Sequence, residues 1–277
     1  MAVKHVTDVQ EAADHVARLP VDAVLDNVLL TVLDTCLETP DSYPEHHWWF
    51  VDEEDSTVGV AFHTPPHPLG LGLQPGPWID ELAADLLESG HPVEQVSGLR
   101  PRTEAFVNAW TALTGTSTEL VYGLRMLECL GLRAPQGVPG SARPVRDDEF
   151  DDYFPWVRAF MTELSLPDHD PESSTQASLE HAYWWLDADG QRVSIASGHA
   201  PSRGVSRVGP VYTPPGVRGR GYAGAVTAVV TQAFYDGGAE RVILYTDAAN
   251  PISNAVYERI GYVHVADGLH LRFVEKP

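Results

Sequence analysis

The spacing of apolar and polar residues divides the chain into short strands and amphipathic helices. In the first half, helical stretches at 8–18 and 21–38 precede the extended segments HWWFVDE (47–53) and STVGVAFH (56–63), whose polar connection is typical of a hairpin. A strand, a helix, a strand, a helix and a final strand follow before residue 131. This alternation predicts a mixed α/β fold.

The second half of the chain repeats this order of elements. Its predicted elements are helices over 147–164 and 174–186, strands over 192–200 and 205–213, a helix over 222–236, a strand over 241–247, a helix over 252–260 and closing strands over 262–273. The Pro- and Gly-rich stretch RAPQGVPGSARP (133–144) between the halves is typical of a linker. The 277-residue chain is long enough for two domains, which we predict at 1–138 and 139–277.

Charge and composition argue against several classes of protein. The net charge of −21 argues against nucleic-acid binding, which needs a basic face. No apolar run is long enough to cross a membrane and no signal peptide begins the chain, so we expect a cytoplasmic protein without a membrane partner. Cys36 and Cys129 lie far apart in apolar segments, which indicates buried thiols and no metal site. Lysine occurs only at Lys4 and Lys276, a bias that suggests a bacterial source.

The loop RGRGYA (218–223) joins an extended segment to a helix and carries the strongest chemical signal. Gly219 and Gly221 allow backbone conformations that other residues resist. Successive amides before a helix N-terminus can cradle a phosphate or pyrophosphate, and Arg218 and Arg220 add positive charge. A tight turn without a ligand is the other interpretation. Neither of the common nucleotide-binding glycine patterns fits this loop.

Two signatures in this half resemble the GNAT superfamily of acetyl-CoA-dependent N-acetyltransferases. Arg218-x-x-Gly221-x-Ala223 is similar to the [Gln/Arg]-x-x-Gly-x-[Gly/Ala] motif of that family. Asn250, with Tyr257 seven residues later, is similar to its second signature. The resemblance covers residues 140–277. It implies a mostly antiparallel sheet in which one parallel strand pair splays apart.

The resemblance also implies which residues hold acetyl-CoA, which would be a cosubstrate. Its pyrophosphate is expected on the amides of the loop residues Arg218, Gly219, Arg220, Gly221, Tyr222 and Ala223. Its pantetheine is expected to pair with the strand 205–213 through the backbone of Val211, Tyr212 and Thr213, with Asn250 completing the contact. Pro210 cannot donate to a strand ladder, which favours a bulged or splayed strand at this point. No metal is expected.

Catalytic roles follow from the same resemblance. Tyr257 is the expected general acid for the leaving thiolate, and the Val211 N–H is a candidate to polarise the thioester carbonyl. A tyrosine that merely packs beneath its helix is the alternative for Tyr257. The general base stays open among Glu163, His181 and His199. We interpret Trp156, Trp184 and Trp185 as core residues.

The first half resembles the family only in its order of elements. LQPGPWID (73–80) stands where a phosphate loop is expected, but it contains no arginine, and Pro75 and Pro77 lack amide donors. The segment from Arg102 to Gly115 supplies no Asn followed seven residues later by Tyr. We therefore expect two tandem GNAT-like domains, of which the N-terminal one is degenerate.

These observations predict an N-acetyltransferase whose C-terminal domain acts on a primary amine. Transfer of a longer acyl group and a non-catalytic CoA-binding sensor are the alternatives. The acceptor is expected to be a small molecule or a peptide, and the charge of −21 together with DDEFDD (147–152) favours a cationic one. The acceptor's identity and the oligomeric state stay open.

Overall fold

The computed structural model describes residues 1–54, 56–164 and 171–276. The chain forms two compact units. The first contains residues 1–125, 247–249 and 266–277, and the second contains residues 126–246 and 250–265. No helix among the described residues is long and apolar enough to cross a bilayer.

The helices and strands alternate along the whole chain. Those that begin before residue 126 are β1 (Ala2–Val6), α1 (Val9–Val16), α2 (Asn27–Glu38), β2 (His47–Glu53), β3 (Ser56–His63), β4 (Leu69–Gly72), α3 (Trp78–Glu88), β5 (Gln95–Leu99), α4 (Arg100–Thr114) and β6 (Ser117–Cys129). The later ones are β7 (Ser141–Pro144), α5 (Phe150–Glu163), α6 (Pro171–Ala177), β8 (Tyr183–Leu186), β9 (Arg192–Ser202), β10 (Val205–Tyr212), α7 (Tyr222–Asp236), β11 (Arg241–Asp247), α8 (Pro251–Arg259) and β12 (Tyr262–Val274).

Each unit contains a mostly antiparallel sheet with one parallel strand pair. In the first unit the order is β1-β2-β3-β4-β5 followed by the end of β12, and only β4 and β5 run parallel. In the second unit the order β11-β10-β9-β8-β7 contains the parallel pair β10 and β11. The predicted mixed fold with a mostly antiparallel sheet is confirmed.

The core of the first unit lies on both faces of its sheet. Along β2, Trp48 and Phe50 pack with α1 and α2, whereas Trp49 and Val51 pack with α3 and α4. Successive side chains of a strand point to opposite faces, so an uninterrupted apolar run such as this one needs helices on both sides. The two faces together bury four consecutive side chains of β2.

The second unit follows the same rule along β8. Trp184 packs beneath α5 together with Tyr153, and Trp185 packs with the residues of α7. Both tryptophans are buried, as predicted, and Trp156 packs edge-on against Trp184 at a ring-centroid distance of 5.2 Å. The prediction of a helix over 174–186 is wrong for residues 183–186, which form β8. A short apolar run does not distinguish a buried strand from a buried helix by periodicity alone.

The units are not two continuous halves of the chain. Residues 268–272 of β12 pair with β5 in the first unit, and residues 126–138 belong to the second unit. The sequence-based division at residue 138 follows local composition, whereas strand pairing depends on partners far apart in sequence. The pairing of β5 with residues 268–272 of β12 could not be predicted from the local sequence pattern of either strand.

Four histidines form a connected cluster on the first unit. His5 Nε2 and His47 Nδ1 are 3.0 Å apart, and His63 Nδ1 and His91 Nε2 are 2.7 Å apart. The rings of His47 and His91 meet edge to face at 4.8 Å. Each N–H···N bond needs one neutral imidazole as acceptor. Within the described residues, no three histidine, cysteine or carboxylate side chains are arranged to hold a metal ion.

Burial and the neighbouring imidazoles lower the pKa values of His5, His63 and His91 and so favour their neutral forms. Burial, followed by the charges of His63 and His47, lowers the pKa of His91 to about 4. Burial is also the main cause that lowers the pKa of His63. Carboxylates oppose these shifts: Glu45 lies 3.1 Å from His47 and raises the pKa of His91.

Two further carboxylates face the cluster from other elements. Glu94, which precedes β5, raises the pKa of His63, although burial prevails. Asp85 on α3 raises the pKa of His5, which burial and His47 lower. The net direction for His5, His63 and His91 is downward, so the fold favours uncharged imidazoles at neutral pH.

We predict that the protein loses stability as the pH falls from about 6.5 to about 4. An unfolded histidine takes up its proton near pH 6.5, whereas the folded His91 resists it down to about pH 4, so the unfolded state binds more protons between these values. For His91 the loss at pH 5 is about 2 kcal/mol or less. The difference between the free energies of unfolding in urea at pH 7.5 and at pH 5.0 measures this loss.

The matched variants are His91→Gln in the cluster and His264→Gln at an exposed position of β12. His91→Gln should reduce the difference in unfolding free energy between the two pH values, and His264→Gln should keep most of it. An unchanged pH dependence in His91→Gln would contradict the prediction.

Candidate active site

One cavity of about 610 Å³ in the second unit brings the predicted site residues together. The predicted residues among its lining are Val211, Tyr212, Thr213, Arg218, Gly219, Arg220, Gly221, Tyr222, Ala223, Asn250 and Tyr257. They come from the end of β10, the loop that follows it, the start of α7 and the helix α8. Residues remote in sequence therefore share one concave surface.

The cavity begins where the parallel strands β10 and β11 part. Their pairing runs from Val205–Arg241 to Val208–Leu244 and goes no further. On its other edge β10 continues to pair with β9 as far as Tyr212, with a register shift between Val208 and Val211. Among the described residues, one edge of the strand after Val208 thus has no strand neighbour. The shift contains Pro210, as expected for a proline in a splayed strand.

The loop after β10 ends in an uncapped helix N-terminus. Gly219 and Gly221 have φ values of +78° and +87°, a region that favours glycine. Gly221 is the N-cap of α7 and offers no side chain to the first turn. Ala225 N donates the first intrahelical bond to Gly221 O at 3.0 Å. The amides that come before Ala225 at the start of α7 therefore have no acceptor within the helix. Such amides are suited to an anion.

The Pro- and Gly-rich segment after β6 forms part of the cavity wall. Arg133, Ala134 and Pro135 line the cavity, and Arg133 N donates to Ile260 O at 2.9 Å. A Cβ on Gly221 would lie 3.0 Å from Val138 Cγ2. The composition of this stretch predicts only a linker. Its composition contains no signal for its packing on the loop.

Arg218 is held by contacts on two sides of the cavity. Its Nε donates to Thr213 O at 2.7 Å, and its Nη2 pairs with Glu163 Oε2 at 2.6 Å. Ser194 Oγ lies 3.0 Å from Tyr212 O and 2.7 Å from Thr213 Oγ1. These bonds fix the end of β10 and link the loop to the last turn of α5.

Tyr257 and Asn250 both belong to α8. The Tyr257 side chain is half-buried, and burial raises the pKa of its phenol to about 12. It therefore holds its proton at neutral pH. Asn250 is the N-cap of the helix, and its Oδ1 accepts from Ser253 N at 3.1 Å. The capping bond occupies that oxygen, which leaves the Asn250 amide N–H groups as donors.

Of the three candidate bases, only Glu163 lines the cavity. His181 lies against Phe234, a core residue of α7, at a ring-centroid distance of 5.2 Å. Burial, with smaller effects from Arg207 and His181, lowers the pKa of His199 to about 3. An imidazole with so low a pKa is a weak base. The structure thus separates both histidines from the residues that line the cavity.

The cavity is basic although the protein is acidic. Arg133, Arg218, Arg220 and Arg259 line it, and Glu163 is the carboxylate among the described lining residues. Arg133 and Arg259 were not predicted from the sequence, since neither belongs to either family signature. In a chain with a net charge of −21, this concentration of arginine favours an anionic ligand.

A buried ion pair occupies the equivalent strand opening of the first unit. The parallel strands β4 and β5 pair at Leu69–Val96 and Gly70–Ser97. Beyond this point Arg102 donates to Leu71 O at 2.8 Å, and Asp26 accepts from Leu73 N at 3.1 Å.

The two charged side chains that fill this opening also bind each other. Arg102 Nη1 lies 2.6 Å from Asp26 Oδ1, and the two side chains are 3% and 4% exposed. The backbone groups that an added strand-like ligand would pair with are therefore already bonded. This opening holds protein side chains where the second unit has a cavity.

Comparisons with known proteins agree with this geometry. Residues 144–262 match the model of the acetyltransferase (GNAT) family. The fold is similar to that of a GCN5-related N-acetyltransferase from Sphaerobacter thermophilus, with 18% identity over 99% of this chain and 96% of that chain and a TM-score of 0.66. A GNAT-family acetyltransferase from Colwellia psychrerythraea has 12% identity over 100% of both chains and a TM-score of 0.62. A search of the curated proteins found no match.

A third similar structure is a tandem GNAT protein from the clavulanic acid biosynthesis pathway. It has 11% identity over 100% of this chain and 99% of that chain, with a TM-score of 0.57. At these identities the likeness shows a shared fold. Residues 144–262 match the GNAT family model, and the chain-long likeness indicates a GNAT-like fold in both units. The predicted family resemblance is confirmed.

We predict that Gly221→Val abolishes acetyl-CoA binding. The substitution places a β-branched side chain at φ +87°, 3.0 Å from Val138 Cγ2, and obstructs the amides of the loop. Backbone strain of this kind costs about 1–3 kcal/mol. Isothermal calorimetry with acetyl-CoA and thermal unfolding measure the two effects.

The control is Gly216→Val, at a loop glycine where an added Cβ meets no atom within 4 Å. This control should keep its affinity. Equal affinities of Gly221→Val and the wild type would show that the loop is a turn without a binding role.

Proposed function

We propose that this protein is an N-acetyltransferase that transfers the acetyl group of acetyl-CoA to a primary amine, with the second unit as the active one. The observation that carries the proposal is the convergence of a free strand edge, an uncapped helix N-terminus and the Tyr257 phenol on one cavity. The GNAT domain at residues 144–262 supports the reaction class.

The residues present fit acetyl-CoA, which supplies an activated acyl group as a thioester. The amides of residues 218–223 would hold its pyrophosphate, and the cavity arginines would add positive charge. Val211, Tyr212 and Thr213 would hold its pantetheine along the free edge of β10, as an added strand does. Asn250 would donate to the pantetheine through its amide.

Catalysis requires a new C–N bond, a broken C–S bond and two proton movements. The Val211 N–H would stabilise negative charge on the carbonyl oxygen. Tyr257 would donate a hydrogen bond and then its proton to the sulfur that leaves. Its raised pKa keeps the phenol protonated until charge develops there. Holding the amine and the thioester together in one cavity lowers the entropic part of the barrier.

Glu163 is the base that the geometry favours, because the amine must lose a proton and the other two candidates do not line the cavity. Its Oε2 pairs with Arg218 Nη2 at 2.6 Å, which fixes the position of the carboxylate on the cavity wall. A water molecule between Glu163 and the amine would serve the same purpose. The last turn of α5 would then form the acceptor side of the site.

The described residues do not support a cationic acceptor through the cavity itself. The only carboxylate among the described lining residues, Glu163, is paired with Arg218. From the acidic stretch 147–152, Asp148 pairs with Arg146 at 3.0 Å and Asp152 pairs with Arg192 at 2.8 Å. Attraction of a cation by the net charge stays a prediction. A primary amine, from a small molecule or a peptide, is the acceptor class that we propose.

A thiol-release screen of amines with acetyl-CoA tests the proposal directly. Propionyl-CoA and longer acyl-CoA donors in parallel test whether a larger acyl group is preferred. Release of CoA with an amine acceptor supports the enzyme. Tight acetyl-CoA binding without thiol release across a broad amine panel would instead favour the non-catalytic sensor.

We predict a binding stoichiometry of one acetyl-CoA per chain. Arg102 and Asp26 already satisfy the splayed strand edge of the first unit, and Pro75 and Pro77 interrupt the amides that follow β4. Calorimetric titration of the wild-type protein gives the stoichiometry. A value near two would overturn the assignment of binding to the second unit alone.

We predict that Tyr257→Phe lowers kcat by about 10²–10⁴-fold, the usual contribution of a general acid. The affinity for acetyl-CoA should change little, because the ring keeps its packing. Steady-state kinetics at saturating acceptor and calorimetry separate the two quantities.

The matched control is Tyr235→Phe, which removes a hydroxyl that donates to Cys129 O at 2.8 Å outside the cavity lining. It should cost about 0.5–1.5 kcal/mol of stability and leave kcat nearly unchanged. A fall of less than tenfold in Tyr257→Phe, with chemistry rate-limiting, would show that the thiolate leaves without this phenol.

A further inference from the structure

The cavity reaches both faces of the sheet in the second unit. Val211 and Tyr212 follow each other on β10, and successive side chains of a strand point to opposite faces. Val211 packs with the core that contains α7, as Tyr257 does, whereas Tyr212 packs with the core that contains α5. Both residues line the cavity. The cavity therefore extends past the end of β10 to the face that α5 covers.

The wall that α5 contributes to the cavity is mostly apolar. Phe160 lines the cavity from the last turn of α5, and Leu164 lines it as the C-cap residue of that helix. Both side chains are half-buried and lie four residues apart, so they share one face of the helix. Trp156, one turn earlier on this face, meets the Tyr212 ring edge-on at 6.2 Å. This face of α5 thus presents apolar and aromatic surface to the end of β10.

The same wall has little to offer a second positive charge. The only carboxylate among the described lining residues is that of Glu163, and its Oε2 pairs with Arg218 Nη2 at 2.6 Å. The Cζ atom of Arg218 also lies 5.8 Å from the centre of the Tyr212 ring. A second ammonium group on an acceptor would have to compete with this guanidinium for Glu163. A charge that leaves water without gaining a partner is costly.

The proposed donor contacts leave α5 for the acceptor. In the proposed function the loop, the edge of β10 and α8 hold acetyl-CoA, and none of its contacts comes from α5. An amine that gives its proton to Glu163 would place the rest of its body beside Phe160 and Leu164. Removing apolar surface from water is favourable, so an apolar body is stabilised there and a polar one is not.

We infer that the acceptor is a primary amine attached to an apolar group, such as a phenyl ring, and that Phe160 and Leu164 select that group. The inference rests on the proposed function and names its acceptor class. It differs from the cationic acceptor that the net charge favours, because the wall at α5 is apolar. A small amine and a peptide with an apolar first residue share this chemistry. The other occupant to be tested is a longer acyl chain of the donor.

Steady-state kinetics of thiol release by the full chain at saturating acetyl-CoA test the inference. The acceptors are 2-phenylethylamine, ethanolamine and putrescine. We expect kcat/KM to be about 10- to 100-fold higher for 2-phenylethylamine than for the other two, the usual discrimination by an apolar pocket. The tripeptides Phe-Gly-Gly and Ser-Gly-Gly identify the source. A higher kcat/KM for Phe-Gly-Gly than for 2-phenylethylamine and Ser-Gly-Gly would support the inference with a peptide as the acceptor.

Variants of one aromatic residue locate the selectivity. Phe160→Ala should lower kcat/KM for 2-phenylethylamine about tenfold, with little change for ethanolamine and in the calorimetric affinity for acetyl-CoA. Phe160→Leu keeps an apolar side chain and should retain most of the preference. The matched control is Phe154→Ala on the same helix, at a ring that stacks on Phe150 at 5.4 Å outside the described lining of the cavity. This control should keep the preference for 2-phenylethylamine.

The outcomes separate this inference from the proposed function. A preference for putrescine, or equal kcat/KM for the three amines, would overturn the inference and leave the acetyltransferase activity intact. An equal loss for 2-phenylethylamine and ethanolamine in Phe160→Ala would show a structural role and no selection. A changed preference between acetyl-CoA and hexanoyl-CoA in Phe160→Ala, with unchanged amine preference, would assign the wall to the acyl group. No thiol release with any amine would overturn the proposed function and the inference with it.

Discussion

The parting of two parallel strands is the constraint on which the site depends. Each strand carries backbone donors and acceptors that must find partners when they are buried. After Val208 and Leu244, β10 and β11 no longer pair, and the edge of β10 opens onto a cavity of about 610 Å³. In the first unit the same need is met by Arg102 and Asp26, which bond to Leu71 O and Leu73 N. One opening is therefore suited to a ligand and the other is filled by the protein.

The charged side chains at the two strand openings are arranged differently. A buried ion pair is stable only when its remaining bonding groups are satisfied, and Asp26 meets this condition because it also accepts from Asp22 N at 3.0 Å. The open cavity differs from this, because arginines outnumber carboxylates among its described lining residues. Arg218 is bonded to Glu163 and to the backbone of Thr213, while Arg133, Arg220 and Arg259 also line the cavity. The acidic remainder of the surface makes this basic region distinct.

In the proposed function, one short helix serves both stability and chemistry through Asn250 and Tyr257. Asn250 begins α8 by capping Ser253 N, so a residue of the family signature also has a structural role. The Tyr257 ring packs at 6.2 Å from that of Tyr262, and burial raises its pKa to about 12. Packing and protonation are therefore coupled at this position. A tyrosine that is structural and a tyrosine that donates a proton need not be different residues.

The sequence by itself determined the features that depend on local spacing. The glycines at 219 and 221, the helix that follows them, and the pair Asn250 and Tyr257 could be read directly, because a tight loop and a helix face leave short-range signals. The irregularity at Pro210 was also predictable from its missing amide. Only the tertiary structure decided that β5 pairs with the end of β12, that residues 183–186 form a strand, and that Arg133 reaches the cavity. These features depend on contacts between residues far apart in the chain. The spacing of apolar residues and the composition describe only local structure, so they do not identify such partners.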